Sequence, residues 1–109
     1  MSRESLGHFE LLVLLALIQV GDEAYGVPIA QAIELSSGKT VIMASVYNTL
    51  ERLEEKGWVR SAMGQPTAER GGRAKRYFSV TAAGLREVRA AKKTLTQLWR
   101  GLPATGGAR

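Results

Sequence analysis

The sequence predicts a mainly α-helical chain with one small β-hairpin, and three features carry that expectation. Apolar residues recur at helical spacing in four separate segments, and glycine or serine clusters punctuate the chain between them. A cationic, glycine-containing stretch, Glu69-Arg70-Gly71-Gly72-Arg73-Ala74-Lys75-Arg76, then runs straight into the strand-like Tyr77-Phe78-Ser79-Val80. At 109 residues and 45% hydrophobic content the chain is long enough for a single domain with an adequate but small core, a size that often gains from oligomerisation.

The first helical segment, Leu11-Leu12-Val13-Leu14-Leu15-Ala16-Leu17-Ile18, is apolar on nearly every side. Its length would suit the core of a secretory signal, but Glu4 and Glu10 precede it against a lone Arg3, whereas a signal needs a positive leader. It is also far short of the roughly 20 residues a membrane span requires. A buried helix fits better, with Ser5 as its expected N-cap and Gly21-Asp22 as its terminator. One small domain rarely surrounds a helix completely, so Leu11, Leu14 and Leu15 are expected to meet a second subunit.

Tyr25-Gly26 leads into a second helix, with Pro28 in the first turn, where a missing N–H is tolerated. Ile29, Ala32 and Ile33 give it one buried face, and Ser36-Ser37-Gly38 stops it. A third helix is expected from about Met43 to Lys56, closing at Gly57, with Val46, Leu50 and Leu53 facing inward. Residues 58–63 and 73–80 then read as two antiparallel strands around a Gly- and Pro-containing loop. Thr81 is expected to cap a last helix in which Val88, Ala91, Leu95, Leu98 and Leu102 follow the 3-4 alternation of a coiled-coil seam, with Trp99 beside it. So short a seam cannot stand alone in water and must pack on something. Residues 103–109, rich in Gly and Ala, are expected to fray.

Three helices, a hairpin and a closing helix in this order make a winged helix-turn-helix over residues 1–80, a dimerisation helix over 81–102 and a tail. The third helix would enter a major groove. Opposite its apolar face lie Ala44, Asn48 and Glu51, with Ser45 and Arg52 on one flank and Tyr47 on the other. Ser45, Tyr47, Asn48, Thr49 and Arg52 are therefore the candidate DNA contacts there, since Asn can pair with adenine and Arg with guanine. Tyr47 is equally well read as a half-buried aromatic packed on the second helix.

Charge supports a polyanionic partner. Between Arg60 and Arg76 stand five Lys/Arg and one Asp/Glu, while the whole chain carries a net charge of only +5. Positive charge gathered on a projecting loop gains most against phosphates, because each one neutralised releases condensed counterion. Arg70, Arg73, Lys75 and Arg76 are the candidate wing contacts.

Other chemistries find little support. With a single histidine, His8, no cysteine and no paired-carboxylate motif, neither catalysis nor a bound metal or other cofactor is expected. Gly38-Lys39-Thr40 echoes the end of a phosphate-binding loop, but Ile33 replaces that motif's first glycine and a helix precedes it where a strand belongs. A winged helix serving only protein contacts is the alternative, and the cationic wing argues against it.

In order and spacing, four segments resemble the PadR family of transcriptional regulators in its short form with one C-terminal helix. They are residues 7–15 (Gly-His-Phe-Glu-Leu-Leu-Val-Leu-Leu), 24–29 (Ala-Tyr-Gly-Val-Pro-Ile), 45–57 (Ser-Val-Tyr-Asn-Thr-Leu-Glu-Arg-Leu-Glu-Glu-Lys-Gly) and 72–78 (Gly-Arg-Ala-Lys-Arg-Tyr-Phe), followed by Thr81 and Gly84. The resemblance implies a homodimer, its last helices packed on the partner's first helix, repressing its own or a neighbouring operon from an inverted-repeat operator on double-stranded DNA; the absence of cysteine fits a reducing compartment, and a cytoplasmic location is expected. It also implies DNA contact by Tyr47 and by the Arg73-Ala74-Lys75 segment. Many members carry proline after that tyrosine; Asn48 stands here instead, so base preference does not transfer. Some members bind flat aromatic effectors between subunits, a role Trp99 would suit, although the same spacing is what a core tryptophan shows.

Overall fold

A computed structural model describes residues 5–64 and 75–103. Its elements run α1 (His8–Val20), α2 (Gly26–Ser37), α3 (Met43–Glu55), β1 (Val59–Met63), β2 (Arg76–Val80) and α4 (Ala82–Trp99). The fold is the expected one, three helices followed by an antiparallel two-stranded hairpin and a closing helix.

α1 starts later than Ser5 would place it, and its cap is built differently. Gly7 is the N-cap, and its N–H donates to the Glu10 carboxylate at 2.8 Å, so an acid in the first turn reaches back to the cap backbone. Gly21 ends the helix at φ 88°, a left-handed value that a side chain would resist. α2 stops in the same way at Gly38.

The core joins Val13, Leu14 and Leu17 of α1 to Ile29 and Ile33 of α2, Val46, Leu50 and Leu53 of α3, and Val59 and Phe78 of the hairpin. Two details differ from expectation. Ala30 rather than Ala32 completes the buried face of α2. Leu14 is fully enclosed by its own protomer and has no surface to offer a partner. In a helix apolar all round, the pattern does not say which leucine points inward.

The strands pair Val59 with Val80, Ser61 with Phe78 and Met63 with Arg76. β1 begins one residue later than predicted because the Trp58 N–H closes the end of α3 on the Leu53 carbonyl, 3.0 Å away. The hairpin is sewn to the helices where the Phe78 N–H donates to the Ala24 carbonyl at 2.8 Å. Thr81 caps α4, its hydroxyl accepting from the Gly84 N–H at 3.0 Å. Gly84 is buried against the Trp58 carbonyl so closely that a Cβ would collide with it, which fixes where α4 leaves the core.

Beyond that point α4 loses its cover. Val88 still packs on the core, but Leu98 is 71% exposed, Trp99 60% and Leu102 62%. The protein is correspondingly elongated, 58 × 36 × 21 Å. No helix among the described residues is long and apolar enough to cross a membrane.

Candidate nucleic-acid interface

α3 is divided sharply along its length. Val46, Leu50 and Leu53 are wholly buried, while Ala44, Ser45, Asn48, Glu51 and Arg52 are exposed. Burying one face fixes the helix rotation, and the opposite face then presents hydrogen-bonding groups to solvent, Ser45 and Asn48 in the N-terminal half and Arg52 one turn on. Tyr47 has both characters expected of it. Its ring lies over Gly26 at the start of α2, where any Cβ would strike it, yet the residue stays 37% exposed.

Thr49 does not join this surface. It is 1% exposed, and its hydroxyl accepts from Arg52 Nη2 at 3.2 Å. The reason is its place three residues after Val46 and four before Leu53, on the inner stripe of the helix.

Arg52 leans back across the fold. Its Nε lies 3.5 Å from Glu10 Oε2, while its side chain remains 53% exposed. Lys56 Nζ donates to both oxygens of Glu10, at 3.1 and 3.0 Å, and to the Ser5 carbonyl at 3.1 Å. Burial alone pushes the Glu10 carboxyl pKa up. The Gly7 N–H, the Lys56 ammonium and the Arg52 guanidinium outweigh that, so the net direction is down and the group is held ionised.

At the base of the wing, Lys75 lies with Nζ 4.4 Å from the centre of the Tyr25 ring and 3.3 Å from its hydroxyl. Tyr77 meets Tyr25 edge to face at 5.8 Å, so the lysine stands on an aromatic support that leaves it exposed. Arg76 is differently placed. It pairs with Glu54 at 2.6 Å, donates to the Ser61 hydroxyl at 3.0 Å and lies over Phe78, spending much of its charge on the protein. Arg70 and Arg73 lie outside the described residues.

Glu10, Lys56, Tyr25 and Tyr77 are site supports that the sequence reading missed. Only Glu10 left a local signal, the three-residue spacing from Gly7; the other contacts join residues distant in the chain.

Along α4, Val88, Ala91 and Leu95 of the predicted seam line two open grooves against α1, whereas Leu98 and Leu102 line neither. One, of about 480 Å³, is lined by Leu11, Leu12 and Leu15 of α1 with Val88, Leu95 and Trp99 of α4, and His8 stands at its edge. The other, of about 500 Å³, lies between the first turn of α1 and Ala90, Ala91 and Leu95. Among the described residues no group of three acidic or histidine side chains is placed to hold a metal ion.

An apolar-backed helix with a polar outer edge, followed by a hairpin bearing an exposed lysine, defines a winged helix-turn-helix protein. The model of the PadR-like family of transcriptional regulators matches residues 14–90, and the chain belongs to that family. It is thus a DNA-binding transcriptional regulator and not an enzyme.

Solved structures agree on the fold. A transcriptional regulator from Clostridium thermocellum superposes with a TM-score of 0.71 at 20% identity, over 86% of this chain and 85% of that one. A PadR family transcriptional regulator from Eggerthella lenta gives 0.66 at 27% identity, over 83% and 76%. A PadR family regulator from hypervirulent Clostridium difficile gives 0.70 at 19% identity, over 86% and 93%. No curated protein matches the chain significantly.

Proposed function

We propose that this regulator acts as a cytoplasmic homodimer that represses transcription by occupying an inverted-repeat operator. α3 lies in the major groove, where Ser45, Asn48 and Arg52 read bases and Tyr47 reaches the flank. The wing, through Lys75 with Arg70 and Arg73, touches the phosphate backbone. The observation that carries this reading is the two-sidedness of α3, whose wholly buried apolar face fixes a polar edge outward.

The dimer reading rests on α4. Leu98, Trp99 and Leu102 expose too much apolar surface in sequence for one small domain to leave to water, and Trp99 also lines an open apolar groove shared with α1. A two-fold pair of such helices holds two copies of α3 about one helical turn, ~34 Å, apart, the spacing that an inverted repeat requires. A mobility-shift titration on the DNA upstream of the protein's own gene tests the whole. A discrete complex of two chains per site, with Asn48→Ala losing about 1–3 kcal/mol there and little on random DNA, is the expected result. Equal binding to every duplex would overturn it.

A ligand-responsive version is favoured by one observation, that Trp99 lines the apolar groove yet is 60% exposed. A flat aromatic compound entering there would wedge the subunits and re-space the two copies of α3 without touching DNA. Saturable quenching of Trp99 fluorescence by such compounds, lost in Leu95→Glu, is the corresponding measurement.

A further inference from the structure

Among the described residues only two polar or charged side chains are buried, Glu10 at 7% and Thr49 at 1% exposure, and both contact Arg52. Burying polar groups in so small a core has a cost, which makes their convergence on one exposed arginine informative. An arginine fork has five N–H donors in fixed geometry. Here Nε faces Glu10 at 3.5 Å and one Nη2 hydrogen goes to Thr49 at 3.2 Å, so both supports hold the inner edge of the fork. The end of the fork keeps the two Nη1 hydrogens and the second Nη2 hydrogen, and more than half of the side chain faces solvent.

We propose that Glu10 and Thr49 are positioning residues that pre-set Arg52 to grip a guanine end-on, through O6 and N7, in the major groove. This deepens the operator-binding reading above and rests on it. Arg52 shares an edge of α3 with Ser45 and lies one turn beyond Asn48, so a guanine adjoining the bases met by those residues is the partner its chemistry fits. Holding the fork in advance removes rotamer entropy that binding would otherwise cost. Lys56 completes the device. It takes both oxygens of Glu10 and thereby cancels a carboxylate that would otherwise repel the nearby phosphates.

The test is a double-mutant cycle on the full-length protein, using a duplex selected by the wild type from a random pool. Arg52→Ala should lower affinity for the selected site by about ten- to a hundredfold, the worth of a bidentate base contact, and barely change affinity for random duplex. Replacing one guanine of the site by 7-deazaguanine, which lacks the N7 acceptor but keeps O6, should reproduce part of that loss in the wild type and have no effect in Arg52→Ala. Thr49→Val and Glu10→Gln should each reproduce a large part of the Arg52→Ala loss, and Arg52→Ala should add little in either background. Thermal unfolding of each variant shows whether it folds; should Glu10→Gln not fold, the near-isosteric Thr49→Val carries the cycle alone.

Losses that simply multiply would overturn the positioning role. An equal loss from Arg52→Ala on selected and random duplex would place Arg52 on phosphate and overturn the guanine assignment. Failure of the wild type to select any duplex is a different result, which removes the operator reading itself and this inference with it.

Discussion

α3 and α4 are equally amphipathic and are built from the same kinds of residue, yet their apolar faces end in opposite states. Leu50 and Leu53 are wholly buried, whereas Leu98 and Leu102 are 71% and 62% exposed. Amphipathic pattern says that a helix has a partner; it does not say whether the partner lies in the same chain. In α3 the partner is the protein's own core, which leaves the opposite face free for chemistry. In α4 only the first turns find cover, and the remainder is apolar surface of a kind that single small proteins seldom leave open.

The largest effect should come from breaking the α4 side of that contrast. Leu98 touches so little of its own protomer that Leu98→Glu should leave the fold intact by circular dichroism. If a second subunit covers it, the change buries an unpaired carboxylate at a cost of several kcal/mol, and sedimentation should show monomer. Operator affinity should then collapse, because two half-sites are held by one dimer or not at all. A variant that stays dimeric on its operator would show that α4 has some other partner.

On the α3 side the corresponding truncation should act through the protomer itself. Leu53→Ala removes a fully buried side chain and should cost about 2–5 kcal/mol of stability, read as a lower denaturant midpoint at the same protein concentration as wild type. The two helices meet their separate fates at Gly84, the pivot. A methyl group there collides with the Trp58 carbonyl and with Val80, so Gly84→Ala should cost about 1–3 kcal/mol and tilt α4 away from the hairpin. If α4 pairs with a second subunit as proposed, that association should weaken with it even though no seam residue has changed.

The same contrast explains what the sequence could and could not tell. The inward set of α3 was legible because its three apolar residues are separated by polar ones, and Thr81 was legible as a cap because a hydroxyl residue stands just before the last apolar-periodic run, whose Gly84 N–H it accepts from. Leu14 was not, since in a uniformly apolar helix every face looks like the buried one. Thr49 was misassigned by its chemistry: a hydroxyl suggested contact with DNA, while its spacing from Val46 and Leu53 already placed it inside. The Glu10, Lys56 and Arg52 cluster depends on α1 crossing α3, and the Lys75, Tyr25 and Tyr77 support on the hairpin lying beside the start of α2. No local pattern encodes either crossing.

A smaller effect separates wing from helix within the proposed DNA-binding surface. Lys75 stands exposed on Tyr25, whereas Arg76 is paired with Glu54. Lys75→Ala should therefore reduce the salt slope of binding by about one and weaken specific and random duplex alike. Arg76→Ala should change the slope less, because its charge is already met by a carboxylate. Equal slopes lost in both variants would mean that the Arg76–Glu54 pair opens on DNA.

The smallest effect concerns pH, and it isolates the contact that locks α3 to α1. In the folded protein Glu10 is ionised, with a pKa below its ordinary value because the Gly7 N–H, Lys56 and Arg52 together outweigh its burial. The unfolded chain therefore takes up this proton first as pH falls. The group's contribution to stability is fully present at neutral pH, begins to fade as pH drops past the ordinary glutamate range, and is gone once the folded-state carboxyl is protonated as well. Over that window wild type should lose stability more steeply than Glu10→Gln, whose amide does not titrate. Chemical denaturation of the two proteins across the acidic range measures that difference. Parallel stability curves would mean that Glu10 contributes through its shape alone and that its charge is idle in the lock.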